Sequence, residues 1–231
     1  MPSLITMLLI ATGTNPLCLP VLEAPHRSTR SPLSVVIVAP ARAAAETLEE
    51  LYAAGQTWDA FYDAATGRRA LWEENRARAA VPDALLERAR AVPGTWRILV
   101  IAVDACSDSV NSIPYIAKLA ASVAGLDLRI VHRDRGRALM ESHRTPDGRA
   151  ATPTIILLNE KYEEAGCWIE RPSKLQDWYL ENHEKLESAQ LLEQKMAWYR
   201  DDAGRETLRE IVEMIEAAAA GRRICASGPA R

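Results

Sequence analysis

Apolar positions in residues 43–95 recur every three to four residues, which is the spacing of amphipathic helices. Gly55, Gly67 and Pro82 interrupt this pattern. We therefore predict about four short helices here, whose apolar faces pack against the rest of the domain. The apolar positions are Leu48, Leu51, Tyr52, Trp58, Phe61, Tyr62, Leu71, Trp72, Leu85 and Leu86.

The pattern changes at residues 96–103 to a continuous apolar run, which predicts a buried strand. Small and polar residues at 104–109 then lead into a helix that is predicted to end near Val123. Pro114 lies inside this helix and is expected to kink it. Leu126–His132 alternates in part and predicts a second strand, parallel to the first through a βαβ crossover.

Two further strands are predicted to form a β-hairpin. Residues 153–158 and 162–169 are rich in apolar residues, and Asn159-Glu160-Lys161 separates them. Pro153 stands at the first position of its strand, where a missing backbone N–H is tolerated.

The C-terminal part of the chain is predicted to be helical. Ser173 and Asp201-Asp202 are candidate helix starts, and Gly221 is a candidate helix end. Since a minimal βαβ–ββα core at residues 96–182 needs less chain, we expect residues 183–221 to form a helical extension. It would pack on the core or on a second copy of the chain, as a homodimer. Residues 222–231 are predicted to be a disordered tail.

Composition is consistent with one main domain and argues against nucleic acid as a partner. The 231 residues are 48% hydrophobic, enough for a substantial core. Lys and Arg number 28 against 31 Asp and Glu, so the chain lacks the basic surface that binds nucleic acid. No apolar run approaches the roughly 20 residues that a membrane-spanning helix needs.

Residues 1–42 are expected to be either a flexible extension or a signal-like leader. Basic residues at 26–30 precede the apolar run 33–38, and small residues follow it, as in a secretory signal. The segment lies too far from Met1 for an ordinary signal, so we expect a cytoplasmic protein. A periplasmic or exported protein is the alternative if segment 27–45 is a true signal.

The four cysteines, Cys18, Cys106, Cys167 and Cys225, lie far apart in the chain. Together with only four histidines they give no clustered metal-ligand pattern, so we predict individual thiols, no metal and no cofactor. Cys225, in the predicted tail, is expected to be an incidental thiol.

Cys106 is the main candidate for chemistry because it would lie at the start of the helix that follows the first strand. Backbone N–H groups there lack partners, and the helix dipole favours a thiolate. Asp104 and Asp108 oppose the thiolate by their own charge, and the sequence leaves open which effect is larger. The alternative is a small residue at a helix start, without chemistry.

Residues 96–180 resemble the thioredoxin fold. The resemblance rests on a strand that ends before Cys106, on Pro114 eight residues later, on Thr152-Pro153 before the third strand, and on a final hairpin and helix. It implies an α/β three-layer sandwich, with a central mixed sheet, flanking helices and additional N- and C-terminal helices. In that family the proline that matches Pro153 is cis and faces the cysteine, so Thr152 and Pro153 would hold substrate backbone beside Cys106.

Within this superfamily the chain resembles bacterial thioredoxin-like proteins with the motif Asp-Trp-Cys-x-Asp-Cys or Asp-Trp-Cys-x-Asp-Ser. Here the motif is Asp104-Ala105-Cys106-Ser107-Asp108-Ser109, and Arg133-Asp134 follows the second strand. Ser109 replaces a resolving cysteine, Ala105 replaces the tryptophan, and Val100 stands where thioredoxins often have a buried Asp.

The resemblance implies monothiol thiol–disulfide exchange through Cys106, with protein thiols or glutathione as partners. Ser109 would donate its hydroxyl to the thiolate. Cys167 is either a second, resolving thiol or a buried strand cysteine. Arg171 either stabilises a thiolate or substrate carboxylate, or pairs with Glu170 at the surface. The alternative function is a catalytically inactive thioredoxin-fold module that binds a protein partner.

Overall fold

Five strands form one mixed sheet within residues 46–226, the part of the chain that the computed structural model describes. The strands are β1 (Trp96–Ala102), β2 (Leu126–His132), β3 (Thr154–Leu158), β4 (Glu164–Ile169) and β5 (Ile224–Ala226). Their order is β2-β1-β3-β4-β5. The β1–β2 and β4–β5 pairs are parallel, whereas β1–β3 and β3–β4 are antiparallel. The predicted leader at residues 1–42 lies outside the described residues.

Helices precede, connect and follow these strands. Within residues 46–226 they are α1 (Leu48–Ala53), α2 (Trp58–Ala64), α3 (Arg69–Arg78), α4 (Asp83–Ala91), α5 (Ser107–Ser122), α6 (Arg137–Ser142), α7 (Ser173–Asn182), α8 (Ser188–Asp202) and α9 (Arg205–Ala219). The four helices before β1 and the breaks between them confirm the prediction from apolar spacing. No helix in this part of the chain is long and apolar enough to cross a membrane.

Helices cover both faces of the sheet, and side chains alternate between these two faces along each strand. Ile98 and Val100 of β1 belong to one core cluster, together with residues of α2, α3, α4, α5 and α9. Leu99 and Ile101 join a second cluster on the other face, with α1 and α6. The predicted α/β three-layer sandwich with additional helices at both ends is therefore confirmed.

Helix α9 belongs to the main core, so this part of the predicted extension at residues 183–221 packs on the core, one of its two expected positions. Its buried side chains Leu208, Ile211 and Val212 pack in the same cluster as α5. A Cβ at Gly166 of β4 would lie 2.7 Å from Cγ of Met214, so glycine allows the close approach of helix and strand. Helices α7 and α8 are thus inserted between β4 and the helix that covers the sheet.

The C-terminal end of the described chain is paired, which corrects two predictions. Ile224–Ala226 forms β5 beside β4, so these residues are not a disordered tail. Cys225 forms a disulfide with Cys167 and is not an incidental thiol. The same bond means that Cys167 is not the resolving partner of Cys106 in this structure. Residues 227–231 lie outside the described part.

We expect the Cys225→Ser variant, prepared without reductant, to lose about 2–4 kcal/mol of unfolding free energy. The disulfide joins residues 58 positions apart and restricts the unfolded chain over that loop. Urea unfolding at one pH with a metal chelator present measures the loss. Cys106→Ser is the matched control and should unfold close to the unmodified chain; equal midpoints for all three proteins would contradict a stabilising disulfide.

Candidate functional site

Cys106 is the N-cap residue of α5, at the end of the turn that follows β1. Its Sγ accepts the backbone N–H of Ser109 at 3.4 Å, and its own N–H donates to the Val103 carbonyl at 3.2 Å. The side chain is half-buried. Its sulfur therefore takes the place that a serine or aspartate oxygen has in an ordinary helix cap.

The segment before β3 lies against this sulfur. Sγ of Cys106 donates to the Thr152 carbonyl at 3.0 Å, and the Thr152–Pro153 peptide bond is cis, as the resemblance implied. Thr154 pairs with Ile101 of β1, and this register brings the start of β3 to the end of β1. The structure thus brings Cys106, Thr152 and Pro153 together.

The Asp104 carboxylate ties the cysteine turn to the loop between α2 and α3. It accepts the backbone N–H of Gly67 at 2.7 Å and that of Thr66 at 2.8 Å. The Gly67 hydrogen bond is the main reason why the pKa of Asp104 is below its usual value. A Cβ at Gly67 would lie 2.9 Å from Cα of Ala105, so this position needs glycine.

Asp108 is buried in the first turn of α5 and is held by side chains from α8 and from the segment after β4. The Lys195 ammonium of α8 lies 2.7 Å from Oδ2, and the Tyr199 hydroxyl donates to Oδ1 at 2.8 Å. Burial alone would raise the pKa of Asp108, but Lys195 and Arg171 outweigh burial and hold it below its usual value. Asp108 is therefore a charged residue whose charge is balanced inside the protein.

Arg171 completes this buried group, which corrects its predicted role. Its side chain is 2% exposed, its Nε lies 3.3 Å from Asp108 Oδ1, and its guanidinium also contacts Glu170. It stacks over the Tyr179 ring at 4.1 Å, and Arg149 binds Glu170 with two bonds of 2.9 Å. Arg171 therefore pairs with Glu170, as one of the two alternatives expected, but the pair is buried and does not lie at the surface.

Ser109 contributes through its backbone and not through its hydroxyl. The residue is fully buried, and its Oγ has no hydrogen-bond partner among the described residues. Only its N–H reaches Cys106 Sγ. The predicted donation by the Ser109 hydroxyl is therefore absent from this arrangement.

Sequence reasoning missed Lys195 and Tyr199, although both support the start of α5. They lie 87 and 91 residues from Asp108, on α8, and the prediction for this helix rested on its apolar positions alone. The useful signal would have been the acid at position 108 itself, because a carboxylate in the first turn of a buried helix needs a cation nearby.

Asp108→Asn should lower the unfolding free energy at neutral pH by about 3–5 kcal/mol, because it leaves Lys195 and Arg171 buried without their shared carboxylate. Since folding lowers the pKa of Asp108, the loss is complete above the usual Asp pKa of about 3.9 and shrinks as pH falls through the lower folded value. Urea unfolding from pH 7 to pH 3 measures it.

The matched control is Asp134→Asn. Asp134 is exposed and pairs with Arg137 at the surface, so its removal should cost less than about 1 kcal/mol. If both variants unfold alike at pH 7, the buried group around Asp108 does not stabilise the fold.

Comparisons with known proteins agree with this architecture. The sequence model of a family described as thioredoxin matches residues 55–191, whereas no curated protein matches the chain. A Pseudomonas aeruginosa protein of unknown function has a similar structure, with a TM-score of 0.61 and 20% identity, over 75% of this chain and 99% of that one. An HIV epitope scaffold has a similar structure too, with a TM-score of 0.60 and 18% identity, over 74% of this chain and 99% of that one. These structural likenesses show the fold alone, but the family match covers more than half of the chain, which therefore belongs to the thioredoxin family.

Proposed function

We propose that this protein carries out monothiol thiol–disulfide exchange through Cys106. The observation that carries the proposal is the position of Sγ, between the Ser109 N–H at the start of a 16-residue helix and the Thr152 carbonyl beside cis-Pro153. The attacking form in exchange is the thiolate, and the Ser109 N–H is a donor already directed at this sulfur. Cys106 is half-buried, and the exposed Ala105 before it carries only a methyl group.

The carboxylates of the two acids near the sulfur are each held by other groups. Asp104 accepts the N–H groups of Thr66 and Gly67, and Asp108 pairs with Lys195 and Arg171. Both negative charges are therefore held in place by fixed partners.

The reaction has two exchange steps. The Cys106 thiolate attacks one sulfur of a partner disulfide, the partner's S–S bond breaks, and the leaving thiolate takes up a proton. A mixed disulfide on Cys106 results. Ser109 has no thiol to resolve it, so a second thiolate, from glutathione or from a protein thiol, attacks the mixed disulfide and releases Cys106. In each step the attacking thiolate supplies the electron pair of the new S–S bond, the leaving thiolate keeps the pair of the broken bond, and no cofactor is needed.

The direct test is formation of a mixed disulfide. The reduced full-length chain carrying Cys18→Ser is incubated with oxidised glutathione, and intact-mass spectrometry with peptide mapping locates the adduct. We expect one glutathione on Cys106, and its removal when reduced glutathione is added in excess. Cys106→Ser in the same background is the control and should carry no adduct at that position.

Absence of the adduct on the folded chain, under conditions where the urea-unfolded chain accepts glutathione at Cys106, would overturn the proposal. That result would favour the alternative, a catalytically inactive module that binds a protein through the same surface. Capture of a partner equally by the intact chain and by Cys106→Ser would support the alternative further.

Ser109→Cys should convert the monothiol site into a dithiol site. The introduced thiol would stand at the position whose N–H lies 3.4 Å from Cys106 Sγ. Because the resolving attack becomes intramolecular, reduction of insulin by a dithiol should accelerate by at least about 10-fold over the unmodified chain. Turbidity of the insulin B chain reports the rate.

Ser112→Cys is the matched control, since Ser112 is equally buried but lies about one helical turn further from Cys106. It should not accelerate the reaction. Equal rates for Ser109→Cys and Ser112→Cys, with both variants folded by circular dichroism, would show that Cys106 is not poised for exchange.

A further inference from the structure

A second cluster of chemically active side chains lies on the other face of the sheet. Ligand-type atoms of His143, Glu164 and Cys167 lie within 4.8 Å of one another, and Cys225 is bonded to Cys167. We propose that reduction of the Cys167–Cys225 disulfide turns these four side chains into a binding site for a divalent metal of the zinc class. This inference does not depend on the function proposed for Cys106.

The imidazole of His143 is already oriented as a metal ligand. The residue is 6% exposed, and Nδ1 lies 2.9 Å from the Leu139 carbonyl oxygen. Since a carbonyl oxygen only accepts, Nδ1 carries the hydrogen and Nε2 faces the cluster. A histidine ligand commonly donates its second ring N–H to a backbone carbonyl in this way, which fixes the ring.

The contact between His143 and Glu164 fits a shared cation. Nε2 lies 2.8 Å from Oε1 of Glu164, so a proton must lie between them, and a metal ion would take the place of that proton. With bonds of about 2.1 Å in tetrahedral geometry, the same two atoms would stand about 3.4 Å apart. The distance between Nε2 and Oε1 therefore needs to grow by only about 0.6 Å, whereas the two sulfurs, bonded in the disulfide, must separate to about 3.8 Å after reduction.

The two sulfurs supply the remaining ligands only after reduction. A dithiol transfers two electrons and two protons to the Cys167–Cys225 bond, which yields two thiols, while the dithiol closes to its own disulfide. A divalent ion then displaces the two thiol protons and binds both thiolates. Two thiolates, one imidazole and one carboxylate form a tetrahedral set that zinc prefers. Disulfide and metal thus exclude each other.

In the disulfide form Arg223 contacts the Glu164 oxygen that would bind the metal. Its guanidinium contacts Glu164 Oε1, and its side chain is 43% exposed. A positive group here balances the carboxylate when no metal is bound, and its exposure allows it to turn into solvent. Arg223 therefore competes with the metal, and its removal should tighten binding.

The test is zinc titration of the full-length chain against a chromophoric chelator, in the disulfide form and after reduction by a phosphine. We expect one ion per reduced chain and none per disulfide-bonded chain. Cobalt in place of zinc should give the thiolate charge-transfer bands of a tetrahedral site. Glu164→Gln and His143→Ala should each weaken binding by at least about 10-fold, since a lost ligand costs no less than a lost supporting group. Arg223→Ala should strengthen it.

Cys106→Ser is the matched control and should bind one ion as tightly as the unmodified chain. Three results would overturn the proposal: no ion bound by the reduced chain, equal binding by the disulfide form, or binding that falls with Cys106→Ser but not with Glu164→Gln. Glu164→Gln keeps the shape of the side chain, and circular dichroism of this variant separates a lost ligand from a lost fold.

Discussion

The charge on Asp108 is the constraint on which the arrangement around Cys106 depends. A buried carboxylate is costly unless it is paired, and here its partners come from α8 and from the segment after β4. Helix α8 therefore has a structural role at this site. It supplies one of the positive charges that balance the acid in the first turn of α5, two residues after the cysteine.

Local patterns were sufficient to predict most of the fold. The strand at residues 96–102, the helix after Cys106 and the hairpin are each encoded by neighbouring residues, whose apolar spacing and turn residues act over a few positions. Cys106, Thr152 and Pro153 could be placed together because the resemblance to the thioredoxin fold implied it, and the observed register of β1 with β3 agrees. Their geometry was thus accessible from sequence, although the roles of Ser109 and Arg171 were not.

The features that sequence reasoning missed are contacts between distant residues. Cys225 follows the polar segment Gly221-Arg222-Arg223 and lies in a strand of only three residues. This strand is ordered by pairing with β4, so no local pattern predicts it. His143 caps α6, Glu164 and Cys167 lie in β4, and Cys225 lies in β5. Their spacing along the chain does not match a metal-binding motif. Lys195 and Tyr199 were overlooked for the same reason, since nothing near Asp108 in the chain indicates that α8 packs there.

Because Asp108 and Lys195 lie far apart in the chain, their ion pair forms late during synthesis. The two residues are 87 positions apart, and a ribosome makes the chain from its N-terminus. While residues 109–194 are being added, β1 and α5 have no Lys195 against which to bury the carboxylate. The start of α5, with Cys106 as its cap, therefore acquires its final surroundings only after α8 has emerged. Until then the Cys106 thiol lies beside an acid whose partners from α8 are missing.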